Sequence, residues 1–237
     1  MASVDVYKSA MAEGLKKFFE THEISMKELI DKLDSDGLLL RKFTEEQVTR
    51  LQELTNSGNM TLKLSNDFYS IFDPKDVIKT KEKLAHLNKA FSKNDDFRMG
   101  EHYHAVLVNS YTTLLERLKI YFLFFIDWGK LGKKYKDISG IGKALEILKQ
   151  KYSSNKYLLY FDSGARNSLA HYTFFWKHGN GGKIMLCSDI FDQSPKEMSL
   201  VDFMKEIIEL GVLVEGFYIL LKDKFNLPEI KMEMFER

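Results

Sequence analysis

The chain has 237 residues, of which 44% are hydrophobic and 13% aromatic, with 35 Lys and Arg against 34 Asp and Glu. This composition can bury a sizeable core and excludes an intrinsically disordered chain. The formal net charge of +1 excludes a protein held to nucleic acid by global charge alone.

Composition also bounds the fold and the compartment. Only 3 prolines and 14 glycines favour a mostly helical protein over a sandwich or barrel. A lone Cys187 excludes an intramolecular disulfide and is expected to be a buried thiol, and the first residues lack the apolar run of a secretion signal. The most apolar segment, 120–126, is too short to cross a bilayer and predicts core. We therefore expect a cytoplasmic protein with no membrane partner.

Residues 1–95 predict a mostly helical N-terminal domain of unknown role. Helical patterns cover 4–20 and the stretches that begin at Ser25 and Thr44, where Thr44 and Gln47 fit a capping box.

A short strand at 59–65 and a helix near Pro74 are predicted in the rest of this part. Three helices followed by a strand are also compatible with a winged-helix DNA-binding module. Residues 1–95 hold 15 basic and 16 acidic side chains, however, which is a low positive charge density for binding duplex DNA.

Residues 96–237 predict an antiparallel bundle of four helices. The first helix is the most regular, because its apolar side chains recur every three or four residues, at Leu107, Tyr111, Leu114, Leu118, Tyr121 and Phe125. The other three helices are predicted at 142–152, 161–176 and 200–227. Glycine and asparagine in "KHGNGG" predict a small β-hairpin excursion at 173–187. The predicted fold class is all-α with this one excursion.

A lysine-rich stretch follows the long helix. Between residues 130 and 156 the chain has eight lysines and only two acids. Such a run is either a solvated surface or a surface that contacts phosphates, and the sequence leaves both open. Lys133, Lys134 and Lys136 are the candidates for phosphate contact.

The stretch "ARNSLAHYTFFW", residues 165–176, carries the residue types that cleave a phosphodiester without a metal. On a helix, Asn167 and His171 are four residues apart, so the amide can hydrogen-bond to the imidazole. Arg166 reaches the same surroundings with its long side chain. An imidazole with a near-neutral pKa can move the proton of a 2′-hydroxyl, and a guanidinium can stabilise a phosphorane. Glu116 could orient this arginine or pair with a basic neighbour on its own helix.

The order Arg166, Asn167 and, four residues later, His171 resembles the R-x(4-6)-H signature of HEPN domains, in which a small polar residue commonly follows the arginine. The resemblance covers roughly residues 96–225. It implies a HEPN-like helical bundle, metal-independent endoribonuclease activity and a homodimer in which two copies of the motif share one cleft. HEPN toxins tend to carry a tyrosine two positions after the histidine, whereas Thr173 holds that position here.

The resemblance implies catalytic roles for three residues, with no metal and no cofactor. Arg166 would stabilise the phosphate, Asn167 would orient the site and His171 would act as acid and base, while Tyr172 and the lysines named above would contact RNA. It also implies a setting in bacterial defence or a toxin-like stress response, with an antitoxin or regulatory protein as a further partner.

The alternative is a non-catalytic HEPN-type dimeric module that binds RNA, a nucleotide or a protein, with Arg166 and His171 serving only as contacts. Cleavage of RNA in EDTA separates the two hypotheses.

Overall fold

The computed structural model describes residues 4–55, 95–138, 140–161, 174–177, 183–188 and 194–227. These residues are mostly helical, as the composition predicts. The helices are α1 (Val4–Ser35), α2 (45–55), α3 (Asp95–Phe125), α4 (Ile141–Lys151), α5 (Lys156–Tyr160) and α6 (Leu200–Phe225). Two short 3-10 helices, Trp128–Leu131 and Tyr135–Asp137, connect α3 to α4. The strands are β1 (Phe174–Lys177), β2 (Lys183–Leu186) and β3 (Lys196–Ser199).

Helix α1 is one continuous helix of 32 residues, and the prediction of two separate helices at 4–20 and from Ser25 is wrong. No proline interrupts the chain between the two predicted pieces, so the backbone hydrogen bonds continue through them. The helix ends at Ser35, and Gly37, two residues later, has a φ of 68° that favours glycine. The Gly37 amide donates a hydrogen bond to the Asp34 carbonyl at 2.9 Å.

The capping box at the start of α2 is confirmed. The Gln47 amide donates to Thr44 Oγ1 at 3.2 Å, and the Thr44 amide donates to Gln47 Oε1 at 2.9 Å. These two bonds satisfy amides that have no partner within the helix.

The apolar stripe predicted on α3 is confirmed, since all six of its side chains are buried. This stripe packs against α6, where Tyr218 stacks on Tyr121 at 4.8 Å and Phe217 meets Phe122 edge to face at 5.4 Å. In the segment 120–126, Tyr121, Phe122, Phe125 and Ile126 are buried core residues, and the other three are half-buried. No described helix is long and apolar enough to span a membrane.

One apolar core joins side chains from both sides of the predicted boundary at residue 95. Met26, Leu29 and Leu33 of α1 belong to the same buried cluster as Leu118 of α3 and Leu213 of α6. The boundary itself stays a prediction, and the predicted strand at 59–65 and helix near Pro74 lie outside the described residues.

The hairpin predicted at 173–187 is confirmed as β1 and β2, which pair antiparallel with Phe174 opposite Leu186. Because β1 begins at Phe174, the prediction that the preceding helix extends to Trp176 is wrong. A third strand, β3, was not predicted and pairs antiparallel with β2, so the sheet order is β1-β2-β3. Cys187 follows β2 directly and is half-buried, so the expectation of a buried thiol is wrong.

Candidate functional site

The four motif residues expected to form the site, Arg166, Asn167, His171 and Tyr172, lie outside the described residues. The structure describes the chain on both sides of them. Phe161 follows the end of α5, and Phe174 opens β1. The two flanks fix where the intervening chain leaves the helical core and where it joins the sheet.

Helix α5 has only five residues, which is too short to be stable by its own hydrogen bonds. Its cap, Asn155, is 2% exposed and connects it to the core. Asn155 Oδ1 accepts a hydrogen bond from the Leu158 amide at 3.2 Å, and Asn155 Nδ2 donates to the Ser25 carbonyl of α1 at 2.7 Å. One side chain therefore both starts α5 and ties it to α1.

Two tyrosines on α5 complete its attachment to α6. Tyr157 is fully buried, stacks on Phe217 at 5.2 Å and donates its hydroxyl to the Leu213 carbonyl at 3.4 Å. Tyr160 donates to Glu209 Oε2 at 3.3 Å. Burial raises the pKa of both phenols, and the Glu209 carboxylate raises that of Tyr160 further. Both therefore stay protonated at neutral pH and act as hydrogen-bond donors rather than bases.

A lysine of α4 holds the last described residue before the motif. Lys149 Nζ donates to the Phe161 carbonyl at 2.8 Å. The two residues line an open cavity of about 560 Å³ together with Gly142, Lys143, Leu145, Glu146 and Gln150. Lys143 pairs with Glu146 at 2.9 Å.

The three lysines expected to contact phosphates, Lys133, Lys134 and Lys136, are all exposed. They lie in the connection between the first 3-10 helix and α4. Within this connection the Lys134 amide donates a hydrogen bond to Asp137 Oδ2 at 2.9 Å. None of the three lysines forms an ion pair with another described residue. Their ammonium groups are accessible to an anion, and their contact with RNA stays a prediction.

Other lysines of the same stretch stabilise the fold instead. Lys130 Nζ donates to the Gly37 carbonyl at 2.6 Å, and Lys151 Nζ pairs with the Asp36 carboxylate at 2.9 Å. Both contacts are at the end of α1, where a helix carries partial negative charge. The stretch that looks uniform in sequence is therefore divided between structural contacts and accessible charge.

The most buried charge of the described residues was not expected as part of any site. Arg117, with 4% of its side chain exposed, forms an ion pair with Glu215 of α6 and donates to the Thr55 carbonyl at 3.3 Å. Glu116, expected either to orient Arg166 or to pair with a neighbour, forms an ion pair with Lys119 at 3.1 Å. The sequence does not distinguish this arginine from a surface residue, because its partner Glu215 is 98 residues away.

Tyrosines beside this ion pair do not supply a base. Burial raises the pKa of Tyr218 to about 12, with the Glu215 carboxylate as a second cause, and burial also raises the pKa of Tyr121. Within the described ranges, no three His, Cys, Asp or Glu side chains converge in a way that could hold a metal ion. We interpret the cluster as a structural connection between α2, α3 and α6.

The described residues define a class of architecture: a mostly helical protein with one small three-stranded antiparallel sheet inserted before its last helix. No protein-family model matches the chain, and neither a curated protein nor a solved structure matches it.

Proposed function

We propose that the chain is a metal-independent endoribonuclease of the HEPN type. The observation that carries the proposal is the order Arg166, Asn167 and His171 in a segment that follows a long helix and a lysine-rich connection. These residue types at this spacing supply an acid–base group, an orienting amide and a phosphate-binding cation.

In the proposed reaction, His171 accepts the proton of a ribose 2′-hydroxyl while the 2′-oxygen attacks the adjacent phosphorus. The bond from phosphorus to the 5′-oxygen of the next nucleotide breaks, and an imidazolium returns a proton to that oxygen. The products are a 2′,3′-cyclic phosphate and a 5′-hydroxyl. Arg166 stabilises the charge on the phosphorane, and Asn167 hydrogen-bonds His171 so that one ring nitrogen is held ready for the proton.

Described residues that precede the motif in sequence support this proposal. Lys143 and Lys149 line the cavity next to Phe161, and Lys133, Lys134 and Lys136 are accessible to phosphates. Tyr172 would add a ring against a base. Helix α5 is tied to both α1 and α6, which would give the catalytic segment a rigid starting point.

We also infer a HEPN-like four-helix bundle and a homodimer. The packing of α3 against both α4 and α6 is compatible with three of the four helices, and the segment that contains the motif would supply the fourth. The chain has one copy of the motif, so a composite active site requires two chains. Bacterial defence or a toxin-like response, with an antitoxin or regulatory protein as partner, is the biological setting that this activity fits.

The test is cleavage of a mixed pool of single-stranded and structured RNA in EDTA by wild type, Arg166→Ala and His171→Ala. Arg50→Ala is the matched control, because the Arg50 side chain is 71% exposed and, among the described residues, pairs only with Glu53 at the surface. We expect cyclic-phosphate ends from wild type and Arg50→Ala, and a rate loss of about 10² to 10⁴ in the two motif variants. Equal cleavage by wild type and His171→Ala would identify a contaminant and end the proposal.

If wild type binds RNA without cleaving it, the non-catalytic module replaces the enzyme as the function. Mass measurement by light scattering tests the dimer independently of activity.

A further inference from the structure

The three-stranded sheet presents one face to the core and one face away from it. Side chains alternate between the two faces along each strand, and the register puts Phe175 opposite Met185 and Met185 opposite Glu197. The next row on the same face contains Lys177, Lys183 and Ser199. The opposite face contains Phe174, Ile184, Leu186 and Met198, which pack against the core. We call the face that contains Phe175, Met185, Glu197, Lys177, Lys183 and Ser199 the outer sheet face.

The outer sheet face exposes an aromatic ring. Phe175 is 52% exposed although it lies in a strand, and its cross-strand neighbour Met185 is 8% exposed and does not belong to the core cluster. Single exposed apolar residues are common on protein surfaces, so the exposure of Phe175 alone does not indicate a site. The charges beside it provide the second observation.

Two lysines lie directly opposite each other in the row next to the ring. Lys177 on β1 faces Lys183 on β2, an arrangement of like charges that destabilises a strand pair. Lys183 pairs with Glu197, and its hydrogen bond lowers the pKa of that carboxyl, with Lys177 as a weaker cause. Among the described residues of this face, one carboxylate faces two ammonium groups, so a positive charge remains next to the exposed ring.

We propose that the outer sheet face binds single-stranded RNA, with a base stacked on Phe175 and phosphates held by Lys177 and Lys183. Bases of single strands stack on exposed aromatic rings while basic side chains follow the backbone, and this combination tolerates any sequence. Phe175 and Lys177 are about 7 Å apart along the strand, which matches the reach from a base to a neighbouring phosphate. The inference rests on the proposed function, because β1 directly follows the segment that contains His171.

The test is binding of a fluorescein-labelled oligouridylate of about 12 nucleotides, measured by anisotropy with full-length His171→Ala protein, which keeps the probe intact. In this background, Phe175→Ala should weaken binding about 5- to 100-fold relative to His171→Ala alone. Phe175→Trp, which keeps an aromatic ring, should restore the affinity of His171→Ala alone. Lys177→Ala should reduce the salt slope by about one. Ile219→Ala, at a position 50% exposed on α6, is the control and should change nothing.

Four results would overturn the inference: no binding of the probe by the His171→Ala background protein, equal binding after Phe175→Ala, failure of Phe175→Trp to restore binding, or a change of oligomeric state in Phe175→Ala. The last would identify the outer sheet face as a contact between protein chains. Binding that depends on Phe175 in a protein that cleaves no RNA would refute only the nuclease. Cleavage of RNA with binding that does not depend on Phe175 would refute only this inference.

Discussion

Asn155 provides the sharpest test of how the flank of the motif is held. Its side chain makes two buried hydrogen bonds, one that caps α5 and one to the Ser25 carbonyl. Loss of a cap costs about 1 kcal/mol, and loss of a buried hydrogen bond costs about as much again or more. We therefore expect Asn155→Ala to lower the free energy of unfolding by about 2–3 kcal/mol, which for a chain of this size lowers Tm by about 5–10 °C.

Two further variants separate the two bonds. Asn155→Ser keeps a capping oxygen but is too short to reach α1, so it should recover about 1 kcal/mol relative to Asn155→Ala. Asn109→Ala makes the same chemical change at an exposed position of α3 and should stay within about 0.5 kcal/mol of wild type. The free energies of unfolding of all three variants are measured by denaturant unfolding, fitted with one common slope of free energy against denaturant concentration. Equal stability of Asn155→Ala and Asn109→Ala would refute the anchoring role.

Two other predictions follow from packing and from charge. A Cβ on Gly216 would lie 2.6 Å from the Phe19 ring, whereas a Cβ on Gly211 would lie no closer than 3.8 Å to any side chain. Gly211→Ala therefore gains helix propensity without overpacking, and Gly216→Ala should be about 1–3 kcal/mol less stable than Gly211→Ala in denaturant unfolding. Equal stabilities would contradict the close approach of α1 to α6. The hydrogen bond from Lys224 lowers the pKa of Asp34 below its ordinary value of 3.8, so Asp34 stabilises the fold above that value and loses this effect as the pH falls through its folded-state pKa. Asp34→Asn should therefore be less stable than wild type near pH 7, and the difference should vanish as the pH falls below the folded-state pKa of Asp34, as a series of thermal melts at decreasing pH would show.

Local patterns predict the elements whose stability has a local origin. The apolar repeat on α3 and the Thr44 capping box need only residues three or four positions apart, and both are confirmed. Asparagine and glycine at 179–182 likewise indicate the hairpin from the turn alone. The lysine-rich stretch shows the limit of this reasoning, since charge count does not tell which ammonium groups are already hydrogen-bonded.

Elements fixed by distant contacts were missed for a physical reason. Helix α5 has no apolar period of its own, and its anchor, Asn155, bonds a residue 130 positions away in sequence. Strand β3, with the sequence "KEMS", lacks an apolar alternation and forms because β2 offers it a free edge. The helix predicted to run to Trp176 fails at the same place, because pairing with β2 replaces its last hydrogen bonds.

The start of β1 at Phe174 decides which side chains share a face. The sequence left Phe175 in the overlap of a predicted helix and a predicted hairpin. On a helix Phe175 and Lys177 would point about 200° apart, so no surface could contain both. On β1 they share a face, and the register adds Lys183 across the strand pair. The face proposed to bind RNA therefore forms only because the period of the chain changes from 3.6 to 2, and this change is set by a strand that lies after the motif in sequence.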